Sequence, residues 1–268
     1  MGSSALYDGE MIYNDETPES VYDTEVDGKG RGLMLEMRGP GDYEYGEFAS
    51  PFPDSLLVPM SEMEDRIKEM EETKSRVSDL CTQANLSCKN QASTNFCWIN
   101  SPTYIMEVNQ VVTNQPVKIL SPASGGARIK NFRNVGGWGR EAVEWMSKNG
   151  INTVDEWPAN AIDAKFNTSQ NQQIAKTRLF VEWIELRPRN MHQLLSLLVR
   201  RIPVTGGFNW WRHQVSLIDP VWLDGAPAIR QRNSWGMSWG AQGYGILQGS
   251  KALPDDAVAC VSNRPFVR

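Results

Sequence analysis

The order of its periodic patterns constrains this 268-residue chain more than any other feature of the sequence. Helical spacing of apolar residues dominates from about residue 103 to 165, in YIMEVNQVV and in GREAVEWMSKNG, which Gly150 closes. From about residue 177 strand patterns dominate, in TRLFVEWIEL, PVTGGFNW, HQVSLIDPVWL, AIRQRNSW and YGILQG, with one helical stretch at MHQLLSLLVRR. A helical half followed by a β half predicts an α+β fold of two lobes, and clefts between lobes are where binding sites usually form.

Residues 1–58 differ from the rest of the chain in composition. They are rich in Gly, Pro, Asp, Glu and Tyr and have no sustained period, so we expect an extended acidic arm with few elements of its own. Residues 1–60 carry 13 acidic and 3 basic side chains, whereas residues 61–268 carry 19 acidic and 24 basic ones. Such an arm can fold back onto the mildly basic body, dock on a protein partner or assembly, or remain a solvated tail.

Residues 59–80, PMSEMEDRIKEMEETKSRVSDL, predict one amphipathic helix with Ser61 as a candidate cap. Its apolar residues recur three and four positions apart, at Met60, Met63, Ile67, Met70, Val77 and Leu80. The stripe is narrow and short, which favours a helix lying on its own domain over a coiled coil. The domain itself is then expected at 81–268, with a helical lobe at about 88–170 and a β lobe at about 171–268.

Several function classes are excluded by composition and spacing. No apolar run reaches the roughly 18 residues of a membrane helix, and the basic residues are scattered without a nucleic-acid-binding motif. Cys81, Cys88, Cys97 and Cys260 lack the spacing of a structural zinc site. We therefore expect no membrane or nucleic-acid partner, no metal and no cofactor. The acidic N-terminus lacks the features of a secretory signal, which predicts a cytoplasmic or virion-associated protein with free thiols.

The positions of the cysteines and histidines narrow the possible chemistry further. Cys97 lies in NQASTNFCWINSP, six residues after Gln91, and a buried core thiol would explain it equally well. A nucleophilic cysteine needs a base that accepts its proton, and the chain has only two histidines. Of these, His213 opens the strand HQVSLID directly after two tryptophans, and Asn233 ends another strand twenty residues later, in RNSWGMSWGAQGYGIL.

These three blocks, in this order, resemble the signature blocks of papain-like cysteine peptidases. The segment NVGGWGREAVEWMSKNGINTVDEWP also resembles the family's run from a Gly-Gly substrate strand through a helix to an aromatic-Pro turn. The collinear resemblance covers roughly residues 86–250. It implies a two-lobed fold with a helical left lobe and an antiparallel, β-barrel-like right lobe.

The resemblance also implies roles for four residues. Cys97 would be the nucleophile, His213 the base and then the acid, and Asn233 the group that holds the imidazole in position. Gln91 would donate its side-chain amide to the oxyanion, alongside the backbone N–H of Cys97. A thiolate–imidazolium pair is the reactive state of such a site.

Five further residues match supporting positions of the family. Trp235 would shield the bond between asparagine and histidine from water, and Trp239 would pack beside it. Gly136 and Gly137 match glycines that let a substrate backbone approach and pair as a strand. Gly207 falls where the family lines its second specificity pocket.

The chain also departs from the family pattern. Thr94 and Val135 stand at two positions that the family joins by a disulfide, which cannot form here. Asn95 and Phe96 replace a glycine and a small residue, so we expect a narrower subsite beside Cys97.

Further departures concern the helix after the nucleophile, the cleft and its regulation. Pro102 stands either inside the helix that begins at the nucleophile or, with Ser101, at the start of a later helix that leaves Cys97 in a turn. The segment between Pro203 and His213 is short, which predicts a more open cleft. Because no inhibitory prodomain is recognisable, any regulation would fall to the arm or to assembly.

The leading hypothesis is a thiol endopeptidase that acts on a peptide or protein substrate through a Cys97 acyl-enzyme. The alternative is a structural or docking component of a larger assembly, such as a virus particle, with weak or latent activity. A third possibility is the same acyl chemistry with an amine acceptor, which would make the protein a transferase.

Overall fold

Helices and strands follow each other along the chain in the order that the patterns predict. The computed structural model describes residues 6–7, 9–22, 30–37 and 50–263. Its helices are α1 (Glu19–Tyr22), α2 (Met63–Glu72), α3 (Val77–Gln83), α4 (Cys97–Val112), α5 (Pro122–Ile129), α6 (Gly139–Asn149), α7 (Ser169–Ala175) and α8 (Met191–Leu198). Its strands are β1 (Leu6–Tyr7), β2 (Glu10–Tyr13), β3 (Ser50–Pro51), β4 (Phe180–Glu185), β5 (Val204–Phe208), β6 (His213–Leu223), β7 (Ala226–Arg232), β8 (Tyr244–Gln248) and β9 (Asp256–Asn263).

The strands form one mixed sheet of order β1-β2-β8-β7-β6-β5-β9-β4-β3. The strands after residue 177 pair antiparallel with one another, so their side chains alternate between the two faces. One apolar core lies around this sheet and α8, and a second joins α4, α5 and α6 to residues of β4 and β9. The α+β class and the two-lobed architecture are thus confirmed.

Parts of the N-terminal arm supply strands to both edges of the sheet. Strand β2 pairs in parallel with β8, with Ile12 opposite Ile246, and β3 pairs in parallel with β4. Glu10 and Arg230 form a buried ion pair at 2.9 Å that ties β2 to the sheet. Of the three arrangements open to the arm, the described residues adopt the one in which it folds back onto the body.

The segment 59–80 does not form one helix. A 3₁₀ turn at Met60–Glu62 leads into α2, and α3 follows after Lys74, which has a positive φ of 51°. Ser61 lies in the 3₁₀ turn, and α2 has no side-chain cap, so the expected cap is wrong. The apolar stripe nevertheless faces inward, since Met63, Ile67 and Met70 are buried.

The expected end of the helix at Gly150 is confirmed. Gly150 ends α6 with a φ of 69°, a left-handed conformation that suits glycine. All four cysteines are described, and each is a free thiol. Within the described ranges, no helix combines the length and the apolar character needed to cross a bilayer.

Candidate active site

Helix α4 places Cys97 at its N-terminus. The helix begins at Cys97 and continues through Pro102 to Val112, so the alternative in which Cys97 lies in a turn before the helix is wrong. The partial positive charge of a helix N-terminus favours a thiolate at this position. Ser101, one turn later, hydrogen-bonds Thr205 of β5 at 2.6 Å, which joins the helix to the sheet.

Strand β6 begins at His213, whose ring is fully buried. Its Nε2 and the Oδ1 of Asn233 are 2.8 Å apart, and Oδ1 also accepts the backbone N–H of Ser234 at 2.7 Å. The other ring nitrogen, Nδ1, is buried and has no hydrogen-bond partner within the part of the chain that the structure describes. One nitrogen is therefore committed to Asn233 and the other is available to exchange a proton.

Two tryptophans contact this imidazole, and a third packs against them. Trp235 stacks on His213 with ring centroids 4.4 Å apart and an interplanar angle of 24°. Trp239 meets Trp235 edge-on at 5.7 Å, as expected from a residue that packs beside it. Trp211, which the sequence analysis does not single out, contacts the histidine edge-on at 5.1 Å. All three indoles are buried.

The Cys97 thiol lies against the first residues of β6. Burial raises the pKa of Cys97 to about 11, while backbone hydrogen bonds from Gln214 and Gly32, among others, act in the opposite direction. Burial lowers the pKa of His213 to about 3, the hydrogen bond with Asn233 opposes this, and the charge of Arg31 lowers it further. Burial therefore disfavours the charged form of both groups in this arrangement of the molecule.

Gln91 lies with its side chain fully buried beside the same site. Its Nε2 donates to the carbonyl oxygens of Gly30 at 2.7 Å and Thr94 at 2.8 Å. Its Oε1 accepts a hydrogen bond from the hydroxyl of Ser234, next to Asn233. The amide is thus held in one orientation, with a peptide carbonyl on its donor.

The Gly30 carbonyl belongs to residues 30–37, which we call the cleft segment because they run across the site. The Gly32 N–H donates to Sγ of Cys97 at 3.3 Å, and the Gly32 carbonyl accepts from the N–H of Gly137 at 2.8 Å. Met34 N–H donates back to the Gly137 carbonyl at 3.0 Å, which makes a parallel bridge between Leu33 and Gly137. The cleft segment therefore occupies the strand position expected at Gly137.

The far half of the cleft segment is anchored on β5 and the turn that follows it. Leu33 is buried, and a Cβ added to Gly207 would lie 3.2 Å from its side chain. Asn209 accepts the N–H of Glu36 on Oδ1 at 2.8 Å and donates Nδ2 to the Glu36 carbonyl at 2.6 Å. Gly136 allows the main chain of the cleft segment to approach closely, since a Cβ at this position would lie 2.4 Å from the Gly32 carbonyl oxygen.

The side chain of Phe96 does not narrow the cleft as expected. It is buried in the helical lobe, 5.8 Å from Trp98 in an edge-on arrangement. The side chain of Asn95 reaches the Asn134 carbonyl at 3.3 Å. The backbone of Thr94 and Asn95, in contrast, lies against the cleft segment. A Cβ built on Gly30 would lie 1.9 Å from the Thr94 carbonyl oxygen, and one built on Gly32 would lie 1.9 Å from the Asn95 carbonyl oxygen.

Sequence reasoning missed Trp211, Asn209 and the cleft segment. The pair of tryptophans directly before His213 was a usable signal for Trp211. The motif Gly-Arg-Gly-Leu at 30–33 carries no periodicity, and its contacts are with residues more than sixty positions away. No local pattern could have revealed it.

Comparison with known proteins agrees with this geometry. No protein-family model matches the chain. It is 28% identical over 237 residues to cathepsin L 2 of Paramecium tetraurelia, across 80% of this chain and 73% of that protein. It is also 28% identical over 183 residues to the oryzain beta chain of Oryza sativa subsp. japonica, across 58% of this chain and 38% of the rice protein.

Among solved structures the fold resembles xylellain, a cysteine protease from Xylella fastidiosa. The TM-score is 0.60 at 15% sequence identity, and the superposition covers 88% of this chain and 97% of xylellain. At this identity the likeness concerns the fold, while the sequence relatives and the ordered blocks carry the relationship. In sequence and in fold, the chain is thus similar to papain-like cysteine peptidases.

Proposed function

We propose that this chain is a thiol endopeptidase in which Cys97 attacks peptide carbonyls with His213 as its base. The observation that carries the proposal is the arrangement of the imidazole, which gives Nε2 to Asn233 and leaves Nδ1 without a partner among the described residues. A base that is oriented by one nitrogen and vacant at the other suits proton transfer with a neighbouring thiol.

The proposed reaction has two halves. In the first, the proton of the Cys97 thiol moves to Nδ1 of His213, and the thiolate adds to the carbonyl carbon of the scissile bond. The bond to the amine breaks, and the imidazolium gives its proton to the leaving nitrogen. In the second, His213 takes a proton from water, the hydroxide adds to the thioester, and the acid product leaves Cys97.

Gln91 is proposed as a donor to the oxyanion. Its Nε2 already donates to a peptide carbonyl, that of Gly30, at 2.7 Å. Because both ends of the Gln91 amide are hydrogen-bonded, the donor is held in place before charge develops on a substrate oxygen. The backbone N–H of Cys97 is the proposed second donor.

Activity on a peptide supplied in solution requires that the cleft segment leave the site, which defines the experiment. Leu33→Asp places a charge in a buried apolar position, whereas Met37→Asp, at a side chain 84% exposed in the same segment, is the matched control. Cleavage of denatured casein and of quenched fluorogenic peptides is measured at pH 5–7 for the full-length chain and both variants. We expect cleavage to rise in Leu33→Asp alone and to vanish when Cys97→Ser is added.

The alternative, a docking module of a larger assembly such as a virus particle, is favoured by one observation: the cleft segment covers the thiol, with the Gly32 N–H on Sγ of Cys97. It predicts that Leu33→Asp exposes Cys97 to iodoacetamide without producing cleavage. That result, or cleavage that survives Cys97→Ser, would contradict the peptidase proposal. If the protein is a transferase, added amines would leave the consumption of peptide unchanged but would lower the amount of free acid product released.

A further inference from the structure

The wall of the cleft nearest Cys97 is made of backbone, and it touches the cleft segment at two glycines. A Cβ built on Gly30 would lie 1.9 Å from the carbonyl oxygen of Thr94, and one on Gly32 would lie 1.9 Å from that of Asn95. Real Cβ atoms essentially never come closer than 3.0 Å to a heavy atom. Since both obstacles are main-chain atoms, no side-chain rotation could make room for alanine at either position.

The wall is held where it is by its own hydrogen bonds. The N–H and hydroxyl of Thr94 both donate to the Gln91 carbonyl, at 3.0 and 2.7 Å. The N–H of Asn95 donates to Oδ1 of Asn134 at 2.6 Å. Retreat of the wall from a bulkier ligand would break these bonds, so the restriction belongs to the cleft and not to the segment that fills it.

The residue between the two glycines meets a different surface. That residue is Arg31. Its guanidinium carbon lies 5.7 Å from the centroid of the Trp235 ring. This side of the cleft accommodates one of the largest side chains and is suited to a cation or an aromatic residue.

The position after the second glycine accepts an aliphatic side chain. Leu33 is 8% exposed and lies against Gly207. The two hydrogen bonds of the neighbouring Gly32 and Met34 to Gly137 fix the strand at this point. A ligand therefore gains main-chain pairing and apolar burial together here.

From these contacts we infer that the cleft selects extended peptides of the pattern glycine–any residue–glycine–aliphatic, and that the backbone of Thr94 and Asn95 sets the selectivity. The inference that such peptides bind rests only on the contacts described above. Whether they are also cleaved rests on the proposed function. Glycine-rich protein segments that pair in parallel with Gly137 are the class of ligand that fits.

The first test measures binding in trans. Full-length Leu33→Asp is incubated with a peptide of the sequence of residues 30–37, and the labelling of Cys97 by iodoacetamide is followed by peptide mass spectrometry. Two variant peptides carry alanine in place of the first or the second glycine, and a control peptide carries alanine in place of the arginine. We expect the original and the control peptide to protect Cys97 at concentrations within about threefold of each other, and both glycine-to-alanine peptides to need about tenfold more or worse.

The second test measures the same restriction in the intact chain. Gly30→Ala and Gly32→Ala are each expected to raise the rate of Cys97 labelling about tenfold or more, because the cleft segment no longer fits. Met34→Ala, at an exposed position of the same segment, is the matched control and should leave the rate unchanged. Circular dichroism and thermal unfolding show whether each variant keeps the fold, and only folded variants are compared.

The outcomes separate this inference from the proposed function. Protection by the alanine peptides equal to that by the original peptide would overturn the glycine selectivity, even if the protein cleaves casein. The expected pattern of protection without any cleavage in Leu33→Asp would support the selectivity of the cleft and contradict the peptidase activity.

Discussion

The backbone N–H of Gly32 donates to Sγ of Cys97 at a distance of 3.3 Å. A residue 65 positions upstream thus covers the thiol, and both the thiol and the imidazole are fully buried. Burial disfavours charge on both groups, which raises the pKa of Cys97 to about 11 and lowers that of His213 to about 3. Burial therefore disfavours the ion pair that the proposed chemistry needs.

The first prediction concerns the pH dependence of Cys97 alkylation. Because only the thiolate reacts, the rate in the unaltered chain should rise about tenfold per pH unit between pH 7 and 10. In Leu33→Asp the site is hydrated and the pair can ionise, so the profile should become nearly flat between pH 6 and 8. Iodoacetamide labelling, quantified by mass spectrometry with partly buried Cys88 as the internal comparison, measures both profiles. Equally steep profiles would show that the cleft segment does not control ionisation.

The second prediction concerns Asn209, which holds the main chain of Glu36 through two hydrogen bonds of 2.8 and 2.6 Å. Asn209→Ala removes both, and each contributes about 0.5–1.5 kcal/mol. We expect labelling of Cys97 to become about five- to a hundredfold faster without a comparable loss of global stability. Asn149→Ala removes an asparagine that bonds only within its own helix and serves as the control. An unchanged rate in Asn209→Ala would mean that the cleft segment is held by other contacts.

Most of the fold could be predicted from the sequence, because local patterns determine its elements, and the ordered blocks indicated the candidate site residues. The strand that opens at His213 and the helix that begins near Cys97 follow from periodicity and from block order. The expected effect of Phe96 was wrong because a pattern does not show which way a side chain turns, and this one turns into the helical core. The cleft segment was missed because its identity depends on a contact between distant parts of the chain.

The third prediction concerns the orientation of the imidazole. In the Leu33→Asp background, Asn233→Ala removes the acceptor at 2.8 Å from Nε2 of His213 and should lower kcat/KM about a hundredfold. Asn233→Asp keeps an acceptor and adds a negative charge, so it should restore part of the rate and move the acid limb of the pH profile upward. The measurement is kcat/KM for a fluorogenic peptide from pH 4 to 8. If alanine and aspartate behave alike, orientation by residue 233 is not what the rate depends on.

The fourth prediction concerns the ion pair that joins the N-terminal strand to the sheet. Arg230 is 3% exposed, and Glu10→Ala would leave its charge buried with Asp219, at 3.8 Å, as the nearest remaining carboxylate. We expect a loss of about 3–5 kcal/mol in the free energy of unfolding by urea. The double variant Glu10→Leu with Arg230→Met removes both charges and should recover most of that loss. Unchanged stability in Glu10→Ala would mean that β2 contributes little to the folded sheet.

The last prediction concerns stability in acid. His213 has a pKa of about 3 in the folded chain, well below the 6.5 of an unperturbed histidine. Between these values the unfolded chain binds a proton at this position that the folded chain does not, so the free energy of unfolding falls as the pH falls from 6.5 towards 3. From pH 6.5 to 4.5 this group alone should account for a loss of about 2 kcal/mol. His213→Gln, which cannot take up that proton, should lose correspondingly less stability over the same interval. Urea unfolding at pH 6.5, 5.5 and 4.5 measures the difference. Parallel curves for the unaltered chain and His213→Gln would show that His213 becomes protonated in the folded protein as readily as in the unfolded one.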